Sequence, residues 1–140
     1  NYAEAANEAW GPKGKDPDGI CKFTAYQVIK TIRQTSGGIT DTKYLDEMAA
    51  SKESFRILIQ NERRLELAFE NQRYYDMRRC LLPLNEAVKG VLVTKEGDDL
   101  IYTFQKVEDR KFDGIRYYYS PLPYYECVKN PNLVNNLGWK

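Results

Sequence analysis

The sequence predicts a mainly α-helical chain that carries a small antiparallel β meander and ends in an irregular tail rich in Pro and Asn. Three observations carry this reading. Glu53 to Leu82 runs without Gly or Pro and is rich in Glu, Arg, Leu, Ala and Gln, all good helix formers. Beyond Leu84 the pattern changes to short β-type runs with alternating side chains. From Ser120 onward, three Pro and several Asn break any regular period.

The elements follow in order. Tyr2 to Trp10 is Ala-rich and helical, and Gly11-Pro12 stops it. Lys13 to Gly19 is a polar turn-rich loop. Its Asp16 and Asp18 are too few oxygen ligands for a calcium loop, which also needs a later Glu in register. Thr24 caps a second helix, Ala25 to Thr35, with Tyr26, Val28, Ile29 and Ile32 as its apolar face and Ser36-Gly37-Gly38 at its end. Asp41-Thr42 starts a third helix with Tyr44, Leu45, Met48 and Ala49 inward, which runs into the long helix with at most a kink. In the β region, Val91 to Thr94 is one strand and Leu100 to Val107 a second, across a turn at Lys95 to Asp99. Asp113-Gly114 then closes a hairpin onto a third strand, Ile115 to Tyr119. Pro121, Pro123, Tyr124, Tyr125, Leu133 and Trp139 are apolar anchors expected to pack the tail back on the helices.

The long helix carries a mixed stripe. Phe55, Leu58, Glu62, Leu65, Phe69, Gln72 and Asp76 keep a three-to-four spacing, apolar first and polar later. Glu62 and Glu66, Arg63 and Glu66, Glu70 and Arg73, and Asp76 and Arg79 lie three or four apart and can form a ladder of ion pairs. Read as chemistry, Glu62 and Glu66 are an acid/base pair. Against this, Arg63, Arg64 and Arg73 would hold them ionised, whereas a general acid needs a raised pKa. The chain has no His. The ladder is therefore read as structural.

The same stretch, Asn61-Glu62-Arg63-Arg64-Leu65-Glu66-Leu67-Ala68-Phe69-Glu70 through Arg79, resembles the signature helix of the SusD/RagB family of surface nutrient-binding lipoproteins. Tyr119 to Pro123 with Glu126 resembles the family's Tyr-x-Pro-Ile-Pro element. Asn130 to Trp139 resembles its closing Asn-Pro segment ending in Gly-Trp. Asn71, Gln72, Cys80 and Leu137 depart from the usual Gly, His, Trp and Pro. On this resemblance Glu62, Arg63, Glu66, Glu70, Arg73, Asp76, Arg79, Pro121, Pro123, Asn130 and Trp139 are architectural residues. The first two helices correspond to the last tetratricopeptide-like helical hairpin of the family. The resemblance implies one C-terminal domain over 1–140: the end of a helical-repeat region at 1–38, a helical core at 39–84, and the meander and tail at 85–140. It also implies a longer parent whose N-terminal part carries a signal and a lipidated Cys. With it come binding without catalysis, an outer-membrane cell-surface location, an oligosaccharide or peptide nutrient, and a SusC-like TonB-dependent transporter as partner.

Composition narrows the alternatives. The net charge of +1 gives no electrostatic case for nucleic acid or an anionic membrane. No apolar run reaches membrane-spanning length. Cys21, Cys80 and Cys127 have no metal-ligand or redox spacing. They are read as free thiols with one disulfide open to them, and no metal or cofactor is expected. The excess is in Tyr, with 11. Sugars are held by flat aromatic faces beside polar side chains. Trp10, Tyr44, Tyr102, Tyr117, Tyr118 and Tyr119 are the candidates, with Trp10 first because it ends a helix beside a polar loop. Tyr74, Tyr75, Tyr124 and Tyr125 lie inside the motifs and are read as structural. The alternative function is a helical-repeat scaffold that binds protein and no glycan. A glycosidase needs two carboxylates facing across a cleft, which one helix does not supply.

Overall fold

A computed structural model describes residues 1–112 and 114–139. Contacts group the chain into two compact units, 1–72 and 73–140.

The first unit is four helices around one core. α1 is Tyr2–Trp10, α2 Ala25–Thr35, α3 Lys43–Met48 and α4 Lys52–Glu66. Thr24 closes the N-terminus of α2 with a reciprocal capping box to Gln27, and Ser51 does the same for α4 with Ser54. Ala3 and Ala6 of α1, Ala25 and Ile29 of α2, Leu45 of α3, and Phe55, Leu58 and Ile59 of α4 form the core. Small side chains on α1 let its backbone approach closely. Asn7, fully buried, donates Nδ2 to the carbonyl of Lys52 at 3.0 Å. Glu8 takes two bonds from Arg56, at 2.6 and 2.7 Å, and lies 3.5 Å from Lys52 Nζ. These polar ties fix α1 to the start of α4. The Tyr26 hydroxyl donates to Asp46 at 2.9 Å and joins α2 to α3. Gly14 has a specific task. A Cβ there would fall 1.9 Å from the carbonyl oxygen of Trp10, so no side chain fits where the loop folds back on α1.

The predicted single helix over 53–82 is two helices, α4 and α5 (Gln72–Arg79). The chain between them turns through Phe69 at φ 66° and Asn71 at φ 60°. Phe55, Leu58, Ile59 and Glu62 are buried, but Leu65 is 69% exposed and Phe69 wholly exposed. The stripe thus loses its buried surroundings after Glu62 and regains them only at Asp76, in α5. Asn tolerates the left-handed region at little cost, so Asn71 eases the break, whereas the bulky Phe69 adopts the same region under strain.

The second unit holds α5, a two-stranded antiparallel hairpin of β1 (Val88–Glu96) and β2 (Asp99–Glu108), a 3-10 turn at Ile115–Tyr118, and α6 (Tyr124–Lys129). Strands pair Val91 with Phe104 and Val93 with Tyr102. The meander expected from sequence stops at two strands. Residues 115–118 form the 3-10 turn instead of a returning strand, and Tyr118 donates its hydroxyl to the carbonyl of Leu82 at 2.8 Å. That bond fixes the segment by a side chain, with no ladder required. Asp113 lies outside the described residues.

The tail closes on itself. Asn136 Nδ2 donates to Ser120 O at 2.6 Å, Leu122 N to Asn135 Oδ1 at 2.9 Å, and Trp139 Nε1 to Tyr119 O at 2.9 Å. Gly138, at φ 86°, passes so close to Arg116 that a Cβ would meet its Cβ at 2.7 Å. The two motifs of the tail are therefore the two halves of one clasp. Tyr124 and Tyr125, expected as anchors, are 77% and 75% exposed on the short helix α6.

Candidate functional site

Of the charged pairs that the spacing of the signature segment suggests, Asp76 with Arg79 forms, while Glu62 and Arg63 take other partners. Glu62 accepts from Arg33 Nη1 of α2, and both side chains are largely buried, at 9% and 13% exposure. Arg63 donates to Asn1 Oδ1 at 2.7 Å. Glu66, at the end of α4, is exposed, and Glu70 falls in the break, where no helical period aligns it with Arg73. Asp76 and Arg79 pair as expected, at 3.0 Å. Asn130 Oδ1 accepts from the backbone of Asn132 at 3.1 Å and makes a local turn.

Arg33 is the residue that the sequence reading missed. It stands four positions after Ile29, on the buried face of α2, and that spacing is the signal for it. Its guanidinium lies 5.7 Å from the ring centre of Tyr44, and its buried Nε has no hydrogen-bond partner among the described residues. Arg33, Tyr44, Leu58, Asn61, Glu62, Arg64 and Leu65 line an open cleft of about 370 Å³. Tyr44 was expected on the inner face of α3, yet it is 45% exposed at this cleft while Leu45 beside it is buried. Glu62 is spent on Arg33. Asn61 and Arg64, both exposed, add an amide and a second guanidinium to the rim. The cleft thus offers an aromatic ring from α3, apolar Leu contacts from α4 and planar hydrogen-bonding groups from α2 and α4.

The other predicted ligand residues lie elsewhere. Trp10 is partly buried against the core at the end of α1. Tyr102 is 61% exposed in the middle of β2. Tyr117 meets Phe112 edge-on at 5.4 Å and lies under Arg116, whose guanidinium is 4.9 Å from the ring centre. Tyr118 and Tyr119 serve the tail clasp through a hydroxyl and a carbonyl. Trp10 does not line the Tyr44 cleft. The exposed aromatic pairs Tyr74–Tyr75 and Tyr124–Tyr125 meet at 83° and 67°, so neither forms a flat platform.

Two further hollows are largely apolar. One, about 270 Å³, lies among α1, α2 and α4 and is lined by Ala3, Val28, Ile29, Ile32, Ile59 and Leu67, with Glu62 and Arg63 at its edge. The other, about 600 Å³, lies in the tail, where Pro121, Pro123, Tyr124, Cys127, Leu133 and Trp139 face it. Asp16, the calcium candidate, uses both carboxylate oxygens on backbone N–H groups, from Asp18 at 3.0 Å and Cys21 at 2.8 Å. The Cys21 hydrogen bond, the strongest influence, holds its carboxyl below the usual range. Among the described residues no group of three His, Cys, Asp or Glu is gathered to hold a metal ion. Among the described residues Cys21, Cys80 and Cys127 form no disulfide with one another, and no described helix is long and apolar enough to cross a membrane.

Comparison with known proteins gives one consistent result. Residues 1–139 match the model of the SusD family. A SusD-like protein P2 of Formosa agariphila is 34% identical over 89 residues, covering 63% of this chain and 15% of that protein. The crystal structure of a SusD-like protein from Bacteroides fragilis aligns with 98% of this chain and 23% of its own, at 30% identity and a TM-score of 0.63. The chain spans less than a quarter of the length of either relative.

Proposed function

Because the chain belongs to the SusD family, we propose that it is the C-terminal domain of a nutrient-capture protein that binds oligosaccharide without catalysis. In this reading the full protein is lipid-anchored at the bacterial outer surface through an N-terminal segment. It passes its ligand to a SusC-like TonB-dependent transporter. The observation that carries the sugar-binding part is the Tyr44 cleft. Its half-exposed ring suits the apolar C–H face of a pyranose, and Asn61 and Arg64 suit its hydroxyls. Non-catalytic binding is supported by the carboxylates. Glu62 is engaged by Arg33 inside the fold, and Glu66 and Glu70 sit on or beyond the end of the same helix. No nucleic acid enters this reading.

A second reading, a scaffold that binds a peptide or protein, is favoured by the apolar hollow among α1, α2 and α4. Affinity electrophoresis through gels that each contain one polysaccharide separates the two. Retardation in one gel, with no new reducing ends released from that polysaccharide, supports sugar capture. Unretarded migration in every gel transfers the weight to the peptide reading, and released reducing ends overturn the non-catalytic one.

A further inference from the structure

The β1–β2 hairpin pairs only with itself among the described residues. A lone two-stranded ribbon is marginal in water, so its side chains must find cover or stay solvated. Its register separates two faces. Lys89, Val91, Val93 and Lys95 share one with Leu100, Tyr102, Phe104 and Lys106. On that face Val91 is 49% exposed, Leu100 53%, Tyr102 61% and Phe104 75%. The opposite face differs. Leu92 and Ile101 stand there among Thr94, Thr103, Gln105, Glu96 and Asp99. Val107 covers Gly90 there, where a Cβ would lie 2.7 Å from Val107 Cγ2.

The first face therefore has an apolar centre, a lysine near the turn and two at the open end, and no carboxylate among its paired strand residues. Lys89 stands opposite Lys106, an unfavourable like-charge pair. Lys106 is met by Asp109 at 2.8 Å, whereas Lys89 and Lys95 have no ion pair among the described residues. We propose that this face docks a protein partner whose own surface has an apolar centre edged by carboxylates. The pattern chooses among occupants. A second copy laid face to face would set lysine against lysine. A neutral glycan would find one hydroxyl, that of Tyr102, among Val91, Val93, Leu100 and Phe104, and would leave the ammonium charges at both ends without a counter-charge. An acidic, apolar-centred surface satisfies both the exposed centre and the unpaired ammonium groups. The inference is independent of the sugar-binding reading and stands or falls without it.

The test uses the 140-residue chain and two synthetic peptides of alternating Val and Phe. One carries Glu at both ends and the other Lys in the same places. Fluorescence anisotropy at low salt is expected to give at least tenfold tighter binding of the Glu peptide, with the difference shrinking as salt rises. Tyr102→Ser with Phe104→Ser is expected to weaken that binding at least tenfold. Lys89→Glu with Lys95→Glu is expected to reverse the preference between peptides. Circular dichroism of each variant confirms that the helices remain. Equal binding of the two peptides, or binding of neither, overturns the proposal. So does dimerisation lost in the Tyr102/Phe104 variant, or association with anionic vesicles in place of the Glu peptide.

Discussion

Replacing Glu62 by Ala tests the structural role of the signature helix most sharply. The Glu62 and Arg33 side chains are 9% and 13% exposed, and the Arg33 Nε is already buried without a partner among the described residues. Removing the carboxylate leaves a guanidinium whose remaining close neighbour is the ring of Tyr44 at 5.7 Å. Breaking a buried ion pair from one side costs about 3–5 kcal/mol. The residual exposure lets some water reach the charge, so the lower end, about 3 kcal/mol, applies here. That is a large part of the 5–15 kcal/mol typical of a whole domain. Removing both charges is different, since apolar replacements of similar volume often restore stability. Glu62→Leu with Arg33→Met is therefore expected to lie within about 1 kcal/mol of the parent. Urea unfolding followed by circular dichroism reads both, as a lowered midpoint at unchanged slope for the single variant. A loss below about 1 kcal/mol for Glu62→Ala, or a double variant as damaged as the sum of its singles, would refute the buried-pair reasoning.

Three further outcomes follow from the same geometry. Glu66→Ala changes unfolding free energy by no more than about 0.5 kcal/mol, because Glu66 is exposed; a loss like that of Glu62→Ala in the same titration would contradict its placement. Asn71→Gly is neutral or mildly stabilising, while Asn71→Val costs more than about 1 kcal/mol, because the backbone there has φ 60°; equal midpoints for the two would show that the chain does not turn at 71. Hydrogen bonding from Arg56 holds the Glu8 carboxyl below its ordinary 4.5, so the folded state binds that proton more weakly than the unfolded one. Its contribution is complete above about pH 4.5 and drains away as pH falls through the lower folded value. Thermal unfolding across that acid range is expected to show a shallower decline for Glu8→Gln than for the parent, and parallel declines would exclude the effect.

Much of the fold is legible in the sequence where short-range chemistry decides it. Thr24 and Gln27 mark the start of α2, and Gly11-Pro12 the end of α1. Turn residues around Gly97 mark the hairpin. The break between α4 and α5 is not legible, because it depends on burial. Leu65 and Phe69 keep the helical period of Phe55 and Leu58, and only the structure shows that nothing buries them. The third strand fails for a similar reason. Ile115 to Tyr119 has strand-like residues, but the Tyr118 hydroxyl finds the Leu82 carbonyl and a 3-10 turn serves that bond. The candidate site was legible in one residue. Tyr44 was singled out as an aromatic, whereas Arg33 reaches it from a helix eleven residues earlier in the chain. Such tertiary pairings have no signature in local spacing. The tail motifs were recognisable as motifs, but their physical content, Asn135, Asn136 and Trp139 closing onto 119–122, required coordinates.

The central claim is sugar capture at the Tyr44 cleft, and titration calorimetry on Tyr44→Ala tests it most directly. Burying one face of a tyrosine ring against a sugar is worth on the order of 1.5 kcal/mol or more, which is about tenfold in affinity. The oligosaccharide that binds the parent chain is expected to bind Tyr44→Ala at least tenfold more weakly, with the thermal midpoint nearly unchanged because the ring is 45% exposed. An unchanged dissociation constant in a folded Tyr44→Ala protein would contradict the account.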